Sequence, residues 1–349
     1  EIIARLINSD NQMALKRFEN ASASANMKEM QKFFHDEFTL DDLQYPCDVT
    51  KEFLNVYNKN ISGDPLDNAL EVLQMYRPAG KKTPVIPGSS VKGSVRTALL
   101  NRVMHEISDD EYYRLLGNHM EKIDKIHNNK KRYDKENSPI QKELLKFNDA
   151  KNDPMRTIAF ADFEFGVKNT QAVGVLKNIS VDKSQNELKT VGIQIMAEFL
   201  KGNLIANDIM ANGNIIIDED LQKSVIDLGN PKKDFRMNTK FSINDIVSSC
   251  NYFFKREFDK EYESFYKPCS EGTDLVVKLK KHIDEICSSN NSFIIRVGRW
   301  SQAEFVTFED NFRRPKTPEG KPYGTTRTVL DYNGNFVPMG WCKCTVENI

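Results

Sequence analysis

No stretch of about eighteen apolar residues runs anywhere along the 349 residues, so no helical membrane span is expected. Cysteine is scarce and scattered. The six stand at 47, 250, 269, 287, 342 and 344, none in a C-x-x-C pair, and only five histidines could help them. A zinc site needs closely spaced ligands, so no metal centre and no cofactor is expected. Cys342 and Cys344 alternate with Trp341 and Lys343 as on one face of a strand, and free thiols in a reducing cytoplasm are the simpler reading. An excess of one charge is also missing. With 49 Lys and Arg against 50 Asp and Glu, the chain is not basic throughout, and any nucleic-acid contact has to be a local track. No basic-then-apolar leader opens the chain, which begins with Glu1 rather than Met. The expectation is a cytoplasmic protein whose natural start precedes Glu1, so that the chain is a fragment. No internal repeat is visible.

What is present suffices for a sizeable core: 39% hydrophobic residues, 21 of the 349 being Phe, in a length comfortable for two domains. Residues 1–60 read as polar helices, with Asn20–Asn26 as a small-residue linker. Ala69–Arg77 reads as a strand and Pro78–Lys82 as a turn. A helix begins at Ser89 or Ser90, with Val91, Val95, Ala98, Leu99, Val103 and Ile107 at helical spacing. Residues 117–148 show little periodicity and read as a mobile, poorly packed helical insertion. Ile158–Phe165 and Ala172–Val181 read as strands. So does Val191–Leu200, where Val191, Ile193, Ile195, Ala197 and Phe199 alternate, and so does Ile215–Ile217. A long helix carries Ile243, Val247, Cys250, Phe254, Phe258, Tyr262 and Phe265 on one face, behind a capping box of Ser242 and Asp245. A second has Leu275, Leu279, Ile283 and Ile286. Ser292–Val297 and Gly340–Val346 are strands. The order fits two α+β units, each an antiparallel sheet with helices on one face, better than a doubly wound parallel sheet.

The informative segment is Ile86-Pro-Gly-Ser-Ser-Val-Lys-Gly-Ser-Val-Arg-Thr-Ala-Leu-Leu100. Gly88 and Gly93 permit close backbone approach to a ligand, and Ser89 and Ser90 open a helix whose N-terminus favours an anion. Lys92 and Arg96, four apart, share one helical face. From Arg77 to His105 there are six lysines and arginines, Lys81 and Lys82 among them, and no acid. That is a phosphate-facing surface in an otherwise neutral chain. A plain turn with solvated Lys and Arg stays open as the alternative. Gly88 and Gly93 have the spacing of a P-loop, but Ser94 stands where its lysine belongs, so nucleotide hydrolysis is not expected.

A second basic stretch, Arg296, Arg299, Arg313, Arg314, Lys316, Lys321 and Arg327, is diluted by four acids. Trp300 could stack on a base or sit in the core. Asp153 and Arg156 could hold each other across a turn, or Arg156 could contact RNA. The Lys122–Lys135 run reads as a solvated face or a contact with RNA or a neighbour. His105, His119 and His127 have no fixed partner in sequence and read as solvated, so no catalytic residue is assigned.

The Ile86–Leu100 segment strongly resembles the signature of the RAMP superfamily of CRISPR proteins. Within it, the chain is most similar to the fifth-subunit family of type III-A Csm effector complexes. Asp153-Pro-Met-Arg-Thr-Ile-Ala-Phe-Ala-Asp162 resembles the family's D-P-x-R segment leading to a strand that ends in Asp. Ile295-Arg-Val-Gly-Arg-Trp-Ser301 resembles its late glycine turn, with Trp300-Ser301 where a second glycine is usual. Thr325-Thr-Arg-Thr and Pro338-Met-Gly-Trp341 resemble its C-terminal end.

The resemblance implies two ferredoxin-like, RRM-related units with helical insertions. One would span 1–190, with its insertion near 108–150, and the other 191–349. It also implies a non-catalytic subunit of an antiviral ribonucleoprotein. Such a subunit binds the 3′ part of the guide RNA and caps the filament of the repeated backbone subunit, with the small helical subunit as a further neighbour. Contacts to phosphate and sugar would dominate, because one complex accepts any guide. The alternative implied by the superfamily is a metal-dependent endoribonuclease. The residues expected on RNA are Lys81, Lys82, Gly88, Ser89, Ser90, Lys92, Gly93, Arg96, Arg156, Arg296, Arg299, Trp300 and Arg327.

Overall fold

The computed structural model describes residues 2–24, 26–43, 45–60, 71–124, 139–166, 171–192, 194–202, 204, 209–223, 225–226, 235–236, 239–308, 312 and 324–347. Helix and strand are mixed, as the sequence indicated. The chain falls into two compact units that interleave: Glu1–Pro84 with Val167–Val175 and Ile195–Ile209, and Val85–Gly166 with Leu176–Gln194 and Met210–Ile349. No described helix is long and apolar enough to cross a membrane.

The first unit opens with α1 (Ile2–Asn8), α2 (Gln12–Ala23) and α3 (Met27–Glu37). Asn11 caps α2 by accepting from the Ala14 amide, and Asn26 caps α3 by accepting from Lys28. Leu6, Ala14, Ala21 and Phe33 form their shared core. Ala21 carries α2 through most of the expected linker, because alanine is both a good helix former and small enough to bury there. A further helix, α4, spans Lys51–Asn60.

Two short strand pairings in this unit are parallel, Asp48–Val49 with Ala172–Val173 and Val72–Leu73 with Met196–Ala197, which departs from the antiparallel sheet expected. Only Val72–Leu73 of the long strand read at Ala69–Arg77 is a strand among the described residues. The strand Ile195–Leu200 buries Met196, Ala197, Glu198 and Phe199 consecutively. Its alternation is misleading because both of its faces are covered.

The second unit holds α5 (Gly88–Glu106), α6 (Asp109–Asp124), α7 (Ile243–Glu261) and α8 (Asp274–Cys287). The Ser242–Asp245 capping box forms as read, and α7 ends in a π-turn at Tyr262–Tyr266. The single strand expected at Ile158–Phe165 is broken at Ala161–Asp162. Its halves have different antiparallel partners: Ile158–Phe160 pairs with Ile215–Ile217, and Phe163–Phe165 lies between Val85–Ile86 and Ala211–Asn212. Ser292–Arg296 pairs with Trp341–Thr345, so Cys342 and Cys344 do share a face. The thiols are free, and burial pushes that of Cys342 up to about 11.

Val91, Val95, Ala98 and Leu99 of α5 are buried as read, with Met104 completing the face in place of Val103. They pack towards α7 and Ser292–Arg296, where Phe254, Phe258 and Phe305 surround Trp341 at ring distances of 6.5, 5.0 and 5.3 Å. The insertion is less loose than expected. Ile140, Leu144, Leu145 and His119 are buried, the His119 ring lying 5.7 Å from Phe312. His119 is therefore not a solvated histidine. His105 is exposed, but its Nε2 faces Arg256 Nη1 at 2.9 Å. Residues 125–138, including His127 and most of the lysine run, lie outside the described residues.

Candidate nucleic-acid interface

The signature segment builds a sharp entry from strand to helix. Val85–Ile86 ends at Pro87, which stands at the N-cap of α5, and Gly88 is the first helical residue. A Cβ on Gly88 would lie 2.2 Å from the Phe160 carbonyl oxygen and 2.6 Å from that of Ala161. The Gly88 amide donates to Asp162 Oδ1 at 2.8 Å. Close approach is needed here, as expected, but to the chain's own strand. The amide read as a phosphate receiver already has an anion. Gly93, by contrast, is exposed and would put its Cβ into open space.

Lys92 and Arg96 share a helical face, and that face turns inward. Lys92 is half-buried and donates its Nζ to the Ile158 carbonyl at 2.8 Å. Burial lowers its pKa, with nearby Asp153 pulling the other way. Arg96 Nη1 donates to both Asp153 oxygens, at 2.8 and 3.1 Å, and its Nε to Gln141 Oε1 at 3.0 Å. Asp153 also caps the turn Pro154–Thr157 by accepting from the Met155 amide. Lys92 and Arg96, expected to meet phosphate, thus have partners within the chain, and Asp153 pairs with Arg96 rather than with Arg156. Arg156 is exposed and donates to the Lys151 carbonyl at 2.6 Å.

The late strand gives a sharper correction. Arg296 is 1% exposed. Its Nη1 meets Glu261 Oε2 at 2.8 Å, its Nε meets the Met339 carbonyl at 2.9 Å, and its guanidinium lies over the Phe305 and Trp341 rings. Arg327, also buried, pairs with Glu304 at 3.0 Å and with Glu261 at 3.2 Å, over the Phe265 ring. Two guanidiniums and two carboxylates neutralise one another inside the core, the arrangement that makes buried charge tolerable. Neither arginine presents itself to RNA. Glu261 escaped the sequence reading. Its one signal was its spacing four residues from Glu257 on a helix face full of phenylalanine, both carboxylates being buried.

Arg77 is likewise committed. It spans the Glu198 carboxylate, Nη1 to Oε2 at 2.8 Å and Nη2 to Oε1, and stacks 3.9 Å over Tyr45. Burial alone would raise the Glu198 pKa, but the bonds from Arg77 and the Met75 amide outweigh it and leave it below its ordinary value.

Of the residues expected on RNA, the surface retains Ser89, half-buried Ser90 and Gly93 at the start of α5. It also retains Arg156, Arg299 and Trp300 in the same unit, and Lys81 and Lys82 in the other. Gly298 adopts φ +92°, a left-handed turn that lifts Arg299 into solvent with its guanidinium 5.1 Å from the half-buried Trp300 ring. A cation beside an indole can take a phosphate and a base together. Arg313, Arg314, Lys316 and Lys321 lie outside the described residues.

No curated protein sequence matches. Solved structures similar to this chain at low identity include two Csm structures. One is a chain of a cryo-EM Csm–crRNA–target RNA ternary complex of a type III-A CRISPR–Cas system, with 16% identity, 78% of this chain and 75% of that chain covered, and a TM-score of 0.46. The other is the crystal structure of T. onnurineus Csm5, with 14% identity, 97% and 90% covered, and a TM-score of 0.49. The family model of the RAMP superfamily matches residues 61–310, a span that contains the signature helix, the Asp153–Asp162 segment and the Gly298 turn. This chain belongs to the RAMP superfamily.

Proposed function

We propose that this chain is a non-catalytic RNA-binding subunit of a cytoplasmic type III-A CRISPR ribonucleoprotein. It holds the 3′ part of the guide RNA and ends the filament of the repeated backbone subunit, beside the small helical subunit. The observation that carries the reading is the superfamily match over 61–310 with the Ile86–Leu100 signature inside it. Two ferredoxin-like units, divided near residue 190, belong to the same proposal.

The reading draws on fewer residues than the sequence suggested, those that remain at the surface. Arg156, Arg299, Lys81 and Lys82 offer exposed cations for phosphates, Ser89 and Ser90 offer hydroxyls, and the open side of Gly93 lets a backbone come close. Such contacts read charge and shape rather than sequence, as an arbitrary guide demands. Trp300 adds a π-face that any base can use.

The test is binding of the purified chain to two unrelated single-stranded RNAs at several salt concentrations, with and without Mg²⁺. The expected result is equal affinity for both, weakening with salt, and intact RNA. In the assembled complex the 3′ end of the guide should be protected from nuclease. Absence of binding would overturn the RNA reading. Mg²⁺-dependent cleavage, abolished by a single Asp or Glu substitution, would make the chain a nuclease.

A further inference from the structure

Beyond RNA, one surface of the first unit calls for a partner. Phe34, Phe38, Leu40 and Leu43 are 37%, 48%, 82% and 48% exposed. Isolated apolar residues on a surface are ordinary, but four within ten residues make a patch. Phe34 stands in the last turn of α3, and Phe38 is its C-cap, where the chain turns extended. Leu40 and Leu43 are three apart across a 3₁₀ turn, where such side chains eclipse.

The patch is also held rigid. Asp42 closes a capping box on Thr39, and Arg5 of α1 reaches across to Asp42 with two bonds of 2.9 Å. A surface ordered in advance loses little entropy on binding.

Its charge says what kind of partner fits. Phe34–Leu43 contains four carboxylates, Asp36, Glu37, Asp41 and Asp42, and no lysine or arginine. Arg5 pairs with Asp42, and Arg17 with Asp36 and Glu37. Counting those two cations against the four acids leaves two negative charges around the apolar side chains. RNA and anionic lipid are repelled by such a rim, whereas a cationic protein segment is drawn to it. The patch lies outside residues 61–310, the part that the superfamily accounts for.

We infer that Phe34, Phe38, Leu40 and Leu43 form a docking surface for an amphipathic helix of a partner protein, one whose apolar stripe is bordered by lysine and arginine. The apolar side chains take the stripe, and Asp41, with the net negative charge around it, faces the basic borders.

The test uses the full chain, without RNA, and two labelled synthetic helices with the same leucine stripe, one bordered by lysine and the other by glutamate. Fluorescence anisotropy should show the lysine helix binding at least tenfold more tightly. Leu40→Asp separates seating from mere attraction: it adds a negative charge, so simple electrostatic capture would strengthen, whereas a seated helix should weaken about tenfold. Circular dichroism checks the fold, which Leu40 at 82% exposure does not support. Equal binding of both helices, or unchanged or tighter binding to Leu40→Asp, overturns the inference. So does a concentration-dependent dimer that Leu40→Asp dissolves, since the occupant would then be a second copy of this chain.

Discussion

The amide of Gly88 and the carboxylate of Asp162 are joined by a 2.8 Å hydrogen bond across 74 residues of sequence. The bond fixes the start of α5 against the strand break at Ala161–Asp162. The glycine of the signature is therefore required by the fold. Gly88→Ala should cost about 2 kcal/mol or more, because the atoms its Cβ would meet are backbone carbonyls that cannot step aside. Gly93→Ala, with nothing within 4 Å, should instead stabilise the helix by about 0.5–1 kcal/mol. Urea denaturation of the two variants gives both signs, and equal effects would refute the distinction.

Arg96→Ala should lower stability by about 1–2 kcal/mol, since it strands the partly buried Asp153 carboxylate. The salt dependence of RNA binding should stay as it is, because that guanidinium is spent inside the protein. A slope that falls by about 0.7 in a folded Arg96→Ala protein would show instead that it neutralises a phosphate.

Arg299→Ala and Trp300→Ala should both weaken RNA binding, in different ways. Loss of the cation should reduce the salt slope by about 0.7. Loss of the ring should cost about 1–3 kcal/mol at every salt concentration and leave the slope alone. Titrations at several ionic strengths distinguish them, and wild-type affinity in both variants would remove the Gly298 turn from the interface.

Arg296→Met should destabilise the fold by about 3 kcal/mol, because Glu261 loses one of its two arginines while remaining buried. The folded fraction should bind RNA as the parent does. Denaturation midpoints and RNA titrations give the two readings, and selective loss of RNA affinity would return Arg296 to the interface.

The Arg5 guanidinium, helped by Thr39, holds the Asp42 carboxyl down at about 2 against a mild desolvation. An unfolded aspartate titrates near about 3.9. Because the folded value is the lower one, the stabilisation is present above pH ~4 and disappears as pH falls towards 2. Thermal melts should show this slope in the parent chain and a flatter one in Asp42→Asn over the same window. An identical slope in both would assign the acid sensitivity elsewhere.

The long helices were legible because periodicity and caps agree in them: Ser242 and Asp245 announce α7, and its phenylalanines mark the buried side. The side chains of the signature helix were read as facing solvent. Lys92 and Arg96 share a face in any helix, but which way the face turns depends on Asp153 and the Ile158 carbonyl, more than fifty residues away. Arg296 looked like a surface cation because nothing adjacent in sequence reveals Glu261. Strands were read too long where pairing, not propensity, sets their ends, as at Ala161–Asp162. The hairpin Arg327–Tyr332/Asn335–Pro338 was missed although Asn333-Gly334, with φ +49° and +77°, is a strong turn signal.

The two tryptophans are both half-buried but have different neighbours: Trp341 packs against three phenylalanine rings, and Trp300 lies beside an exposed arginine at the Gly298 turn. The protein thus carries a matched pair of native optical reporters. Quenching on addition of RNA should arise from Trp300, whereas denaturation changes the surroundings of both. In Trp300→Phe the emission becomes a single-site signal for the core, so folding and ligand occupancy can be followed in one cuvette without a label.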